Sequence, residues 1–183
     1  MPTSRTSPPA ADGGVPHLIL VGLPGSGKTT VGRAAAEALD RPFLDFDETI
    51  VQRERMSVAD IFASKGEAAF RELERELTEE LAGRGGMVLA PGGGWMTTPG
   101  IVALVRPPAR LVYLRVRPRT ALARLGTNRT LRPLLDRPDP LDELSRLMVR
   151  RGPAYETADY VVDSELLSLQ DVIKQVVAAG SSA

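Results

Sequence analysis

Apolar residues come in short bursts separated by helix-forming stretches along most of the chain. The run His17-Leu-Ile-Leu-Val21 meets a glycine-rich turn and then an Ala-rich segment over residues 28–39, which predicts a strand, a loop and a helix. Pro42-Phe-Leu-Asp-Phe-Asp47 predicts a second strand ending in acids, followed by helical segments over 50–62 and 66–82. In the latter, Phe70, Leu73, Leu77 and Leu81 recur at three and four residues and form one apolar stripe. Residues 87–90, 110–116 and 160–162 read as three further strands and 168–179 as the last helix. Strands alternating with helices imply an α/β fold, a parallel sheet covered on both faces and joined by right-handed crossovers. Residues 1–16 and 180–183, rich in small and polar residues, are expected to be disordered tails on a single domain spanning 17–179.

The strongest chemical signal is Gly22-Leu-Pro-Gly-Ser-Gly-Lys-Thr29, a G-x-x-x-x-G-K-T between a predicted strand and a predicted helix. Such a loop turns backbone N–H groups toward phosphate oxygens, and the helix behind it adds its positive dipole end. Lys28 supplies a compact charge for β- and γ-phosphates, and the Thr29 hydroxyl is a hard ligand for Mg2+. Only three lysines occur in the chain, so one at this position is not a compositional accident. The motif points to a nucleoside triphosphate and says little about a second substrate.

The features that discriminate lie downstream. Asp45 and Asp47 stand two apart at the end of a predicted strand, where alternation places both on one face at the ligand-binding edge of the sheet. One carboxylate would hold Mg2+ and the other would orient and deprotonate an attacking hydroxyl; the competing reading is a helix N-cap. Arg71, three residues from Glu74 on a helix, reads alone as an ordinary surface ion pair. Gly92, Gly93 and Gly94 follow a strand and would let a substrate approach main-chain N–H groups, or form a plain turn. Arg132 lies within, and Arg151 beyond, a stretch from Gly126 to Leu141 that is rich in Arg, Pro and Asp and has little helical periodicity, which would serve as a mobile lid over about 124–138.

Composition narrows the classes. The 23 Lys plus Arg balance 23 Asp plus Glu, so the whole chain has no electrostatic reason to seek nucleic acid or an acidic membrane. The balance is not local: residues 37–80 hold 13 acids and 6 bases, and residues 106–151 hold 12 Arg and 4 acids. The absence of cysteine removes thiolate and disulfide chemistry and leaves oxygen ligands or His17 for any metal. No apolar run approaches the ~20 residues of a membrane span, and the opening segment lacks the apolar stretch of a secretory signal, so a cytoplasmic protein is expected.

Taken in order, the phosphate loop, the D-x-D at 45–47, Phe70-Arg71 with Glu74, the three glycines, R-P-L-L at 132–135 and R-x-P-x-Y at 151–155 resemble the shikimate kinases. The resemblance implies a three-layer P-loop kinase fold like that of the nucleoside monophosphate kinases: a five-stranded parallel sheet flanked by helices, with a mobile lid. It implies transfer of the γ-phosphoryl group of ATP to the 3-hydroxyl of shikimate, with Mg2+; a monomer is expected. Carried over by position, Gly25, Ser26, Gly27, Lys28, Thr29 and Thr30 would wrap the phosphates, while Thr29 and Asp45 hold Mg2+. Asp47 would activate the acceptor hydroxyl. Arg71 and Arg151 would grip the acceptor carboxylate beside Gly93, Arg132 would reach the phosphates, and Arg124 would lie near the adenine. Trp95, directly after the glycines, departs from the small residue expected there; it either narrows the pocket or packs away against a helix starting near Thr98. Ser164-Glu-Leu-Leu167 lacks an Arg that some members place near the adenine. Another small-molecule kinase, such as a gluconate kinase, and a kinase-like ligand-sensing module are the alternatives at this stage.

Overall fold

The computed structural model describes residues 14–126, 133–136 and 138–181. Its centre is a sheet of five parallel strands in the order β2-β3-β1-β4-β5, with β1 at Leu18–Val21, β2 at Phe43–Asp45, β3 at Val88–Ala90, β4 at Arg110–Arg115 and β5 at Tyr160–Asp163. Alternation along the strands divides the core. Leu18, Leu20, Val88, Val112, Leu114 and Val162 face α1 (Lys28–Ala38) and α6 (Leu169–Ser181). Ile19, Val21, Leu89, Leu111 and Tyr113 face the opposite layer, which holds α2 (Phe46–Glu54), α3 (Val58–Leu81) and α5 (Pro140–Tyr155). The central strands are buried on both faces and therefore read as continuous apolar runs rather than alternating ones.

Several boundaries differ from the expectations. The second strand stops at Asp45, because its carboxylate accepts the Glu48 N–H at 3.2 Å and caps α2, which begins at Phe46. The predicted helix 50–62 is divided between α2 and the start of a 24-residue α3, with Arg55 (φ 55°) between them, and 66–82 is the part of α3 beyond its interruption at Gly66 (φ 82°, ψ 168°). The stripe on α3 behaves as read: Phe70, Leu77 and Leu81 are buried and Leu73 packs partly buried against them. Helix α4 (Pro118–Leu125) and helix α5 were not foreseen. The acid- and proline-rich start of α5 hid a stripe of Leu144, Leu147, Arg151 and Tyr155, all buried. Pro133–Leu135, within the expected lid, forms a 3-10 turn whose Leu135 is buried in the core, so this part is anchored rather than irregular.

The expected tails also change at their inner ends. Gly180 and Ser181 belong to α6; Gly180 is buried against Leu39 and its carbonyl accepts Arg41 Nη2 at 2.8 Å. Val15 O accepts the Gly86 N–H at 2.5 Å, and residues 1–13 lie outside the described residues. No helix among the described residues is long and apolar enough to cross a membrane.

His17, just before β1, is buried and bridges three elements: Nδ1 accepts the Met87 N–H at 3.3 Å, and Nε2 lies 3.3 Å from the Leu81 carbonyl. Both nitrogens are engaged by backbone, which leaves neither for a metal. Burial pushes the imidazole pKa below its ordinary value of 6.5, so the fold holds the neutral ring and the unfolded chain takes up the proton first. The His17 contribution is complete above pH 6.5 and is lost as pH falls through the lowered folded pKa, by at most about 1.4 kcal/mol per pH unit. Denaturant melts between pH 7.5 and 5 are expected to show this decline in the wild type and a flatter one in His17→Gln. Equal slopes would remove His17 as the cause.

Candidate active site

The carboxyl ends of all five strands lie on one edge of the sheet, so the turns after β1, β2 and β3 meet there. After β1, Gly22, Gly25 and Gly27 take φ values of 145°, 81° and 98°, which only glycine adopts without strain, and the loop curls over the start of α1. Lys28 Nζ donates to the carbonyls of Gly22 at 3.0 Å and Leu23 at 3.1 Å, across the loop it belongs to. A cavity of about 430 Å³ opens above, lined by Gly25 through Thr30, Asp45, Asp47, Gly92, Arg124 and Ser164. Thr29 Oγ1 donates to Asp45 Oδ2 at 2.7 Å, which brings two hard oxygen ligands together on the cavity wall.

Asp45 and Asp47 do share this cavity, but not by strand alternation. Asp45 is the last strand residue and a helix cap, while Asp47 sits in the first turn of α2. The capping reading therefore holds for Asp45, which also lines the cavity. Phe46 between them points into the core.

Asp47 and Gly92 also line a second, smaller pocket of about 50 Å³ with Pro24, Phe62, Phe70, Arg71, Gly93, Gly94, Arg151 and Pro133–Leu135. Arg71 is not a surface ion pair. It donates through Nη1 to Glu74 at 2.5 Å and through Nη2 to Glu67 at 2.8 Å, and the Glu74 side chain is fully buried. Glu74 Oε1 also accepts the Gly92 N–H at 3.1 Å. Burial pushes the Glu74 carboxyl above its usual range, opposed by Arg71 and reinforced by the nearby Asp47. Burial works against the Arg71 charge, yet its two carboxylates outweigh it and hold the guanidinium pKa above ordinary.

Arg151 lies on α5, 7% exposed, and burial lowers its pKa. Tyr155, one turn on, donates its hydroxyl to Gly93 O at 2.5 Å and stacks on Tyr113 with ring centres 5.2 Å apart; burial pushes its pKa up to about 12. The three glycines are explained by space. A Cβ at Gly92 would lie 2.5 Å from Glu74 Oε1, one at Gly93 would lie 3.2 Å from Arg151 Nη1, and one at Gly94 would strike the Arg71 guanidinium. None of the three has positive φ.

Trp95 packs away from both pockets, although not against a helix near Thr98. It is 1% exposed, edge-on to Phe46, and donates Nε1–H to Thr78 Oγ1 at 2.9 Å. At the far end of the larger cavity, Arg124 donates to Ser164 O at 2.5 Å and to its hydroxyl at 3.2 Å. Where an Arg is lacking after Asp163, Glu165 instead caps α4, accepting from Arg117 N at 3.0 Å and Thr120 Oγ1 at 2.8 Å. Hydrogen bonds from the Arg117 side chain and backbone hold its carboxyl down to about 2. Arg132 lies outside the described residues. No role was expected of Glu67 or Glu165, and Tyr155 entered only as the end of the R-x-P-x-Y motif; the i,i+4 spacing of Glu67 and Arg71 was the one local signal for Glu67.

A phosphate loop beside a second charged pocket on a parallel sheet defines a P-loop small-molecule kinase. A gluconokinase from Sinorhizobium meliloti, 20% identical with a TM-score of 0.56 and 90% of each chain covered, shares this fold. A sequence model of the family described as shikimate kinase matches residues 24–180. Shikimate kinase from Moorella thermoacetica is 42% identical over 149 residues, 81% of this chain and 85% of that protein. The enzyme from Mycobacterium tuberculosis is 39% identical over 163 residues, 88% of this chain and 92% of that one. The solved structure of shikimate kinase from Acinetobacter baumannii in complex with shikimate superposes with a TM-score of 0.84 at 35% identity, covering 89% of this chain and 91% of that one. The chain belongs to the shikimate kinase family, whose members are ATP-dependent kinases.

The Trp95–Thr78 bond is testable with the single indole of the chain. Thr78→Val strands a buried N–H donor and is expected to lower unfolding free energy by about 1 to 3 kcal/mol, with the native emission maximum remaining blue-shifted. Unchanged stability would mean that packing alone holds the ring.

Proposed function

We propose that this chain transfers the γ-phosphoryl group of ATP to the 3-hydroxyl of shikimate, giving shikimate 3-phosphate and ADP in aromatic amino acid biosynthesis. The observation that carries the reading is that Asp47 and Gly92 line both cavities, so Asp47 stands where a phosphoryl donor and an acceptor hydroxyl would meet. The N–H groups of residues 25–30 receive the phosphates, and Lys28 exchanges its bonds to Gly22 O and Leu23 O for β- and γ-phosphate oxygens. Thr29 and Asp45 fit Mg2+, which is bound by few protein oxygens and otherwise by water and phosphate. When bound there, the ion neutralises charge on the phosphates.

Asp47 accepts the acceptor's proton as its oxygen attacks. Arg71 and Arg151 hold the acceptor carboxylate, for which a planar, always-charged fork suits better than Lys, and the Gly93 N–H assists. Tyr155 holds the Gly93 carbonyl, which fixes the direction of that peptide. Arg132, outside the described residues, is assigned to the γ-phosphate by the resemblance alone. Arg124 stacks near the base, steadied by Ser164. The enzyme acts as a cytoplasmic monomer. The deciding experiment is ADP release from MgATP with shikimate, quinate or gluconate as acceptor. Turnover with gluconate alone would overturn the assignment.

Two variants probe the roles. Asp47→Asn is expected to lower kcat by about 10²-fold or more with ATP affinity little changed. A loss of thermal stability with kcat intact would make Asp47 a structural residue of the first turn of α2. Arg151→Ala is expected to weaken shikimate binding by roughly 2 to 5 kcal/mol, ATP binding far less. An acceptor lacking the carboxylate that binds as tightly as shikimate would contradict this.

A further inference from the structure

Arg71 is held by two carboxylates of its own helix, and the two contacts differ in kind. Glu74 is fully buried and also accepts the Gly92 N–H, so withdrawing it would strand both partners. The Glu67 side chain is 48% exposed and reaches Arg71 Nη2 from the solvent side. It follows Gly66, where the helical backbone is broken, and so begins the continuing helix. There, the positive end of the continuing helix favours a carboxylate even when it is not paired. Glu67 therefore has somewhere to go.

The charge around the acceptor pocket gives it a reason to move. Arg71 lines the acceptor pocket with Nη1 engaged by Glu74 and Nη2 by Glu67, and Glu67 acts on Arg151 as well. An acceptor bearing a carboxylate therefore meets a guanidinium whose two terminal nitrogens are already taken. Glu74 is fixed by burial, which leaves Glu67 to retreat.

We propose that Glu67 is a specificity-determining residue that occupies the Arg71 edge the acceptor carboxylate requires, and that an acidic acceptor binds by displacing it. An uncharged acceptor of similar size leaves the Glu67–Arg71 pair closed and gains nothing from either arginine. The inference rests on the acceptor reading given above and names how that site selects an acid.

The test is steady-state kinetics of full-length Glu67→Gln with shikimate and MgATP. KM for shikimate is expected to fall about three- to tenfold, as when one competing ion pair is removed, while KM for ATP does not follow. Glu67→Asp, which keeps the charge but shortens the reach, moves KM for shikimate in the same direction and serves if the Gln variant does not fold. An unchanged or raised KM for shikimate in an active variant overturns the proposal and makes Glu67 a support for Arg71. A wild-type protein that neither binds nor phosphorylates shikimate refutes the acceptor reading itself, and the inference falls with it.

Discussion

In a parallel sheet every strand delivers its following turn to the same edge. Because β2, β3 and β1 are neighbours, residues 22–29, 45–47 and 92–94 meet there although they are far apart in the chain. The register holding them is protected by burial on both faces, since slipping β1 by one residue would exchange the residues facing α1 and α6 with those facing α3 and α5. Chemistry at this edge is therefore positioned by core packing rather than by the loops themselves.

Charge is brought into this packed region under strict terms. Glu74 is tolerated in full burial because Arg71 and the Gly92 N–H satisfy it, and Arg151 is tolerated beside Tyr155 and the Gly93 peptide. The triple glycine follows from the same demand. Side chains at 92, 93 and 94 would occupy the volumes of Glu74, Arg151 and Arg71 respectively, so the loop is bare where the charged groups must pass. Trp95, the next residue, has no such neighbour to accommodate and turns into the core.

The end of the larger cavity beside Arg124 is built differently. Its wall is made of two surface segments joined by hydrogen bonds, with Arg124 on α4 donating to Ser164 and Glu165 capping α4 in return. Through these contacts a segment lacking an expected arginine still lines the cavity with Ser164.

What the sequence by itself determined was whatever depends on local periodicity and turn chemistry: five strands, the glycine-bearing phosphate loop, the α3 stripe and the order of the motifs. It also carried Arg71 and Arg151 by type and position, through resemblance. The mixed composition of α5, with Pro140, acids and Pro153 breaking its pattern, hid a helix that tertiary contacts stabilise through Leu144, Leu147 and Tyr155. Only the tertiary structure decided that Asp45 would cap a helix and that an ordinary-looking Arg71–Glu74 spacing would lie buried. It alone turned Trp95 toward Thr78 and Tyr155 toward Gly93. The reason is physical: spacing along the chain states which side chains share a face, but solvent, partners and available volume at that face are set by elements that arrive from elsewhere in the sequence.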